Sequence, residues 1–185
     1  VGHVVIDEAD KMIDKSLGPQ ITTILKETPQ QRRLQMYSAT MPNEVYVIVQ
    51  EFFTKVVQIS VGVIGGASET VKQIVHYVPP QKRAETAIRV LHGMKTPVIV
   101  FCNSRTSCET CTSILGSSGY RVAMIHGGKS QSERDEIIES INEDIFDILV
   151  ATDVLSRGID IPNVSNIVNY EVPTNIHTYV HRIGR

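Results

Sequence analysis

At 185 residues the chain has room for one large domain or two smaller ones. Its apolar fraction of 42% is that of a globular protein, and no run approaches the ~20 apolar residues of a membrane-spanning helix. A net charge of −2 excludes nucleic-acid binding by bulk charge, so any such surface must be local.

The first apolar run, HVVID (3–7), predicts a strand that delivers Asp7, Glu8 and Asp10 at its tip. RLQMYS (33–38) and VVQIS (56–60) predict two more strands, followed by the glycine-rich VGVIGGASET (61–70). Beyond it come VKQIVHYV (71–78), PVIVFC (97–102), RVAMI (121–125), DILVA (147–151) and VSNIVNY (164–170). AETAIRVL, SCETCTSIL and SERDEIIESI carry apolar residues three and four apart, the period of amphipathic helices. Several strands are almost wholly apolar, as parallel strands covered on both faces are. Strand–helix alternation therefore predicts an α/β fold with parallel sheets. The organisation expected is a first unit at 1–62, a linker at 63–70 and a second unit at 71–185. About three strands are too few for a doubly wound first unit, so the chain reads as starting inside a domain. HRIGR likewise reads as a stop before a closing element.

Cys102, Cys108 and Cys111 make an odd count, which does not suggest a disulfide framework and favours a reducing compartment. CETC has metal-ligand spacing, but a structural zinc site needs four ligands and no second pair exists. No basic–apolar–small leader pattern is seen.

Ligands of open α/β sheets bind at the carboxyl ends of the strands. Three predicted strand ends are polar: DEAD (7–10), SAT (38–40) and ATDVLSRGID (151–160). An Asp just past an apolar strand can hold Mg²⁺, and a neighbouring carboxylate can orient or deprotonate water. The plainer alternative is that Asp7 and Asp10 only cap the following helix. AMIHGGKS (123–130) imitates the ATP-binding loop G-x-x-x-x-G-K-S, but Ala123 replaces its first glycine. A loop for an RNA phosphate fits better, with backbone N–H groups at a glycine turn and helix start, and Arg134 adding charge. Base stacking is disfavoured, because only 5% of residues are aromatic and none interleaves this cluster.

VVIDEAD, SATMP, VIVFCNS, HGG…SQSER, ATDVLSRGIDIP and YVHRIGR occur in this order. Together they resemble the DEAD-box RNA helicases from one end of the chain to the other. The resemblance implies two RecA-like parallel-sheet domains, the first only partly present and the second nearly complete. The family's phosphate-binding glycine loop and adenine-reading segment would precede residue 1. ATP and Mg²⁺ are the implied cofactors. Asp7 would hold Mg²⁺, largely through water, and Glu8 would position or activate the attacking water. Gly158 and Asp160 would lie at the nucleotide, Asp160 near the ribose, and Arg185 matches the arginine finger. Ser38 and Thr40 would link the nucleotide site to domain closure. Asp10 would pair with groups of the other domain, and His181 and Arg182 would couple the ATP and RNA sites. Asn103, Arg105, Gly127, Gly128, Gln131, Arg134 and Thr152 would grip the RNA backbone with little sequence specificity.

Three positions depart from the family pattern: KSLGPQ follows DKMID where Gly-Phe is usual, Glu171 replaces Asp, and Leu155 is bulky. DKMID, HGGKSQ and DIPNVS are similar to the pre-mRNA splicing branch. The expected function is an RNA-dependent ATPase that unwinds short duplexes or remodels ribonucleoprotein complexes. It would act as a monomer away from membranes, with ribonucleoprotein or spliceosomal partners, in the nucleus or alternatively the cytoplasm. A catalytically inactive RNA-clamping scaffold is the alternative, opposed by intact Asp7, Glu8 and Arg185. A DNA helicase is disfavoured by the Ala-Asp after Asp-Glu. The 185 residues alone are expected not to hydrolyse ATP.

Overall fold

The computed structural model describes residues 1–13, 17–63, 65–156, 161 and 163–184. It divides into two compact units, Val1–Ser68 and Glu69–Arg185. In the first, β1 (His3–Ile6) and β2 (Arg33–Met36) pair in parallel, with His3 opposite Arg33 and Ile6 opposite Met36. α1 (Ala9–Met12), α2 (Gly18–Glu27) and α3 (Asn43–Phe52) complete the unit. Pro19 lies in the first turn of α2 and Pro42 caps α3, where a helix amide has no intrahelical partner to lose. Ile6, Ala9, Ile13, Leu25, Val45 and Ile48 form the core.

In the second unit a 3₁₀ turn (Pro80–Lys82) leads into α4 (Arg83–Leu91) and β3 (Val98–Phe101). Then come α5 (Arg105–Ser117), β4 (Val122–Ile125), α6 (Gln131–Asn142) and β5 (Ile148–Ala151). A second 3₁₀ turn (Asp153–Ser156), β6 (Asn166–Asn169) and α7 (Ile176–Ile183) follow. The sheet runs β4-β5-β3-β6 and every pairing is parallel. Successive residues of a strand point to opposite faces. Val98, Val100, Cys102, Ile148 and Val150 accordingly join Leu91, Cys108, Cys111 and Leu115 in one core. Ile99, Phe101, Leu149 and Ala151 join Ile125, Ile141 and Leu155 in the other. Covering both faces is why the central strands β3 and β5 read as unbroken apolar runs.

Two predicted strands, 56–60 and 71–78, are not strands in the structure. Val57, Ile59, Val75 and Tyr77 are almost fully exposed. Strand propensity measures fit to a half-buried pleated surface, and among the described residues neither segment has a partner strand to supply one. No described helix is long and apolar enough to cross a membrane.

Candidate functional site

Asp7 and Glu8 occupy the turn between β1 and α1. The ladder continues past the strands, since Tyr37 N–H donates to the Ile6 carbonyl at 2.8 Å and Ala9 N–H to the Tyr37 carbonyl at 3.0 Å. Glu8, between those two anchors, has φ 49° and ψ 46°, left-handed backbone that costs a residue with a Cβ. Its carbonyl accepts the first helical bonds, from Lys11 and Met12. Its amide donates to Asp7 Oδ1 at 2.9 Å, and its carboxylate meets Lys11 Nζ at 3.0 Å. Asp7 is exposed and Glu8 half-buried. Strain held at a strand exit with two adjacent carboxylates is the kind of geometry that active sites maintain.

Asp10 ties this turn to the SAT segment. Its Oδ2 accepts the Thr40 amide at 2.9 Å and the Thr40 hydroxyl at 2.5 Å. Its amide donates to Ser38 Oγ at 3.1 Å, and that hydroxyl donates to the Thr40 carbonyl at 2.6 Å. Thr40 is buried. These bonds lie within the first unit, so Asp10, Ser38 and Thr40 are one closed hydrogen-bonded group that fixes the ends of β1 and β2 against each other.

The second unit is organised around Arg182, which is fully buried on α7. Nε and Nη2 donate to the two Asp153 oxygens at 2.6 and 3.1 Å. Nη1 donates to Asn169 Oδ1 at 3.1 Å and the Glu171 carbonyl at 2.8 Å, and Nη2 to Asn103 Oδ1 at 2.8 Å. All five guanidinium donors are therefore placed, and the ring of Phe101 lies 5.2 Å below. The acceptors lie at or just past the ends of β3, β5 and β6, so one side chain gathers three strand ends. Half-buried His181 precedes it.

Next to this junction, the Gly127–Gly128 turn follows β4. Gly128 N–H donates to His126 Nδ1 at 3.0 Å, which requires the neutral imidazole. Burial, then the charges of Arg105 and Lys129, hold His126 below its ordinary pKa. A Cβ on Gly128 would lie 3.1 Å from the His126 ring and 3.2 Å from Arg105 Nη1, so only glycine lets these groups meet without displacement. Ser130 then caps α6 by a full capping box with Glu133. Arg105 opens α5 and pairs with Glu109 at 2.8 Å, and exposed Gln131 donates to Asp135. Arg134 Nε and Thr152 Oγ1 are buried without a hydrogen-bond partner among the described residues. Thr152 N–H donates to the Ile125 carbonyl at 3.2 Å, and Val154 contacts the Gly127 position, so this turn and the β5 exit adjoin.

Asn103 also belongs to the Arg182 junction. Its Oδ1 accepts from Arg182 and its Nδ2 donates to the Val172 carbonyl, so its amide group is committed inside the unit. Gly158, Asp160 and Arg185 lie outside the described residues. Sequence reading missed Asp153 and Asn169 altogether, and assigned no role to Glu171. Nothing local marks them, because their common partner is 11 to 29 residues away.

The three thiols are free and buried together. For Cys108 the contact with Cys102 and burial push the pKa well up. For Cys102 the Cys108 contact acts downward, but the Cys111 contact and burial outweigh it. Among the described residues no His, Cys, Asp and Glu group could hold a metal by itself.

Parallel sheets with carboxylates and bound Thr and Arg groups at their strand ends fit the resemblance, and family comparison decides it. The DEAD/DEAH box helicase family matches residues 1–48, and the helicase conserved C-terminal domain family matches residues 81–185. The chain belongs to the DEAD-box helicases. ATP-dependent RNA helicase DBP2 of Lodderomyces elongisporus is 36% identical over 100% of this chain and 34% of its own length. Pre-mRNA-splicing ATP-dependent RNA helicase PRP28 of Yarrowia lipolytica is 34% identical over 99% of the chain and 36% of its own. Among solved structures, S. cerevisiae Dbp5 bound to RNA and ADP BeF3 matches with TM-score 0.87 and 29% identity, over 100% of this chain and 50% of that one. The yeast splicing factor Prp28 matches with TM-score 0.61 and 28% identity, over 100% of this chain and 42% of that one. This DEAD-box chain thus spans about a third of the length of the curated relatives it matches.

Proposed function

We propose that the full-length protein containing this chain is an RNA-dependent ATPase that separates short RNA duplexes or remodels ribonucleoprotein complexes. The observation that carries this reading is Glu8. Its carboxylate is presented beside Asp7 from a strained strand exit that Asp10, Ser38 and Thr40 brace from behind. A helix cap alone would need no left-handed glutamate and no closed group behind it.

Asp7 offers hard oxygen donors at an exposed position, and one carboxylate plus water and substrate phosphates suits Mg²⁺, which keeps much of its hydration. A bound Mg²⁺ would neutralise charge on the phosphates. Glu8 then orients or deprotonates the attacking water, a contribution on the order of 10²–10⁴ in rate. On the second unit, Arg105, Lys129 and Arg134 supply positive charge around the glycine turn. The buried donors Arg134 Nε and Thr152 Oγ1 suit phosphate oxygens. Gly158 and Asp160 are proposed at the nucleotide, and Arg185 as the finger that stabilises charge on the transferring phosphoryl group. The Dbp5 structure with RNA and ADP BeF3 supports nucleotide and RNA as ligands. Similarity to PRP28 supports a spliceosomal context; nuclear residence, with the cytoplasm as the alternative, and a monomeric working state belong to the same proposal.

The test is RNA-stimulated phosphate release by the full-length protein, with Glu8→Gln beside it. The rate should fall about 100-fold or more. An unchanged rate removes the role given to Glu8, and RNA binding without turnover in the native protein favours the clamping scaffold instead. The 185-residue chain should release no phosphate, because no phosphate loop lies within it.

A further inference from the structure

The Glu171 carboxylate is bound by three separate elements. Oε2 accepts the Asn103 amide at 2.7 Å, and Oε1 accepts the Ser107 hydroxyl at 3.0 Å, with Arg83 Nη1 3.5 Å away. Asn103 holds the first amide past the β3 ladder that is not taken by Ala151, since Cys102 N–H still donates there at 2.9 Å. From that point the chain must turn into α5. Ser104 caps the helix, its Oγ accepting the Ser107 amide at 3.1 Å while its hydroxyl donates to Ser107 Oγ at 3.0 Å. The hydroxyl relay Ser104 to Ser107 therefore ends on Glu171. The same carboxylate supplies negative charge at the N-terminus of α5, where the helix dipole favours it.

Glu171 is itself held rigid. Its carbonyl accepts from Arg182, and neighbouring Val172 accepts from Asn103 Nδ2. Asn103 is thus fixed at its amide, its Oδ1 and its Nδ2. Arg105 follows two residues later, with a two-thirds exposed side chain whose Nη1 lies against the Gly128 position. Fixing Asn103 fixes the start of α5, and so where Arg105 stands relative to the glycine turn.

We infer that Glu171 is a positioning residue for RNA, setting the placement of Arg105 and the 126–128 turn without touching the strand itself. A carboxylate near a phosphate-binding edge would ordinarily repel it. Here three donors, one of them a cation, take up the charge, and only a fifth of the side chain is exposed. The two oxygens bridge a backbone amide and a hydroxyl on different elements. The inference rests on the RNA reading of Arg105 above.

The test uses the full-length protein and four variants: Glu171→Ala, Glu171→Gln, Arg105→Ala and the Glu171→Ala/Arg105→Ala double. The readouts are the RNA concentration giving half-maximal ATPase stimulation, kcat at saturating RNA, and hydrogen exchange of residues 103–107. Glu171→Ala should raise the half-saturating concentration about tenfold while kcat falls less than about twofold, a size usual for contacting pairs. Exchange at 103–107 should quicken. Arg105→Ala should cost about fivefold alone but less than about twofold in the Glu171→Ala background, because the two act through one placement. Additive losses, or a fall in kcat with unchanged half-saturation, overturn the positioning role and leave the RNA reading intact. If Arg105→Ala alone changes nothing, the RNA reading of Arg105 fails and this inference falls with it. If Glu171→Ala does not fold, Glu171→Gln serves in the same cycle. It keeps the length and one acceptor but loses the charge, and should show the same non-additivity at about threefold.

Discussion

Replacing Arg182 by alanine is the most direct test of how the second unit is held together. The substitution strips partners from Asn103 Oδ1, Asn169 Oδ1 and the Glu171 carbonyl, each worth about 1 kcal/mol when left unmet. It also ends the bidentate pair with Asp153. That carboxylate is 44% exposed and regains water, so the pair adds only about 1 kcal/mol. Loss of the guanidinium over Phe101 removes on the order of another 0.5–1 kcal/mol. The sum, about 4.5–5 kcal/mol, lies at the upper end of the ~3–5 kcal/mol seen when one partner of a buried pair is removed. Because the chain has no Trp, urea unfolding is best followed by far-UV circular dichroism. With a slope of about 2 kcal/mol per molar urea, the midpoint of the second unit's transition should drop by about 2.3–2.5 M. Arg182→Lys should recover only part of this, since an ammonium has three donors and no planar fork. A loss below about 1 kcal/mol for Arg182→Ala would refute the reasoning, meaning that water replaces the guanidinium at little cost.

Three further outcomes are expected. Glu8→Gly relieves the left-handed strain and should leave the 185-residue chain as stable or about 1 kcal/mol more stable, while abolishing turnover in the full-length protein; a loss above about 1 kcal/mol in urea unfolding would show that the strain is not there. The hydrogen bond from Arg121 holds the Asp147 carboxyl below its ordinary pKa. The unfolded chain therefore binds that proton more readily, and the stabilisation is present above the unfolded pKa of about 4 and lost as pH falls through the folded value. The stability gap between wild type and Asp147→Asn should accordingly shrink between pH 7 and pH 3, and a constant gap counts against the pairing. Finally, the buried Cys102, Cys108 and Cys111 should resist an aromatic disulfide reagent at pH 8 and react only as fast as the second unit unfolds. Prompt reaction of any one of them contradicts that burial.

The parallel α/β class, the covered strands β3 and β5 and the acid-tipped β1 were legible in the sequence, because each is written in contiguous residues. An apolar run with both faces covered has no polar alternation, and a helix declares itself by a 3.6-residue period. The motifs at strand ends were legible for the same reason, being short and local. The segments 56–60 and 71–78 carry the same β-branched signal yet form no strand, because a ladder needs a neighbour that propensity cannot supply. Tertiary structure alone decided that Glu8 is left-handed and that Asp10 closes on Thr40. It likewise decided that Arg182 collects Asn103, Asp153, Asn169 and Glu171. Those residues are far apart in the chain and become neighbours only when parallel strands bring their carboxyl ends to one edge, where a buried guanidinium needs five acceptors at once.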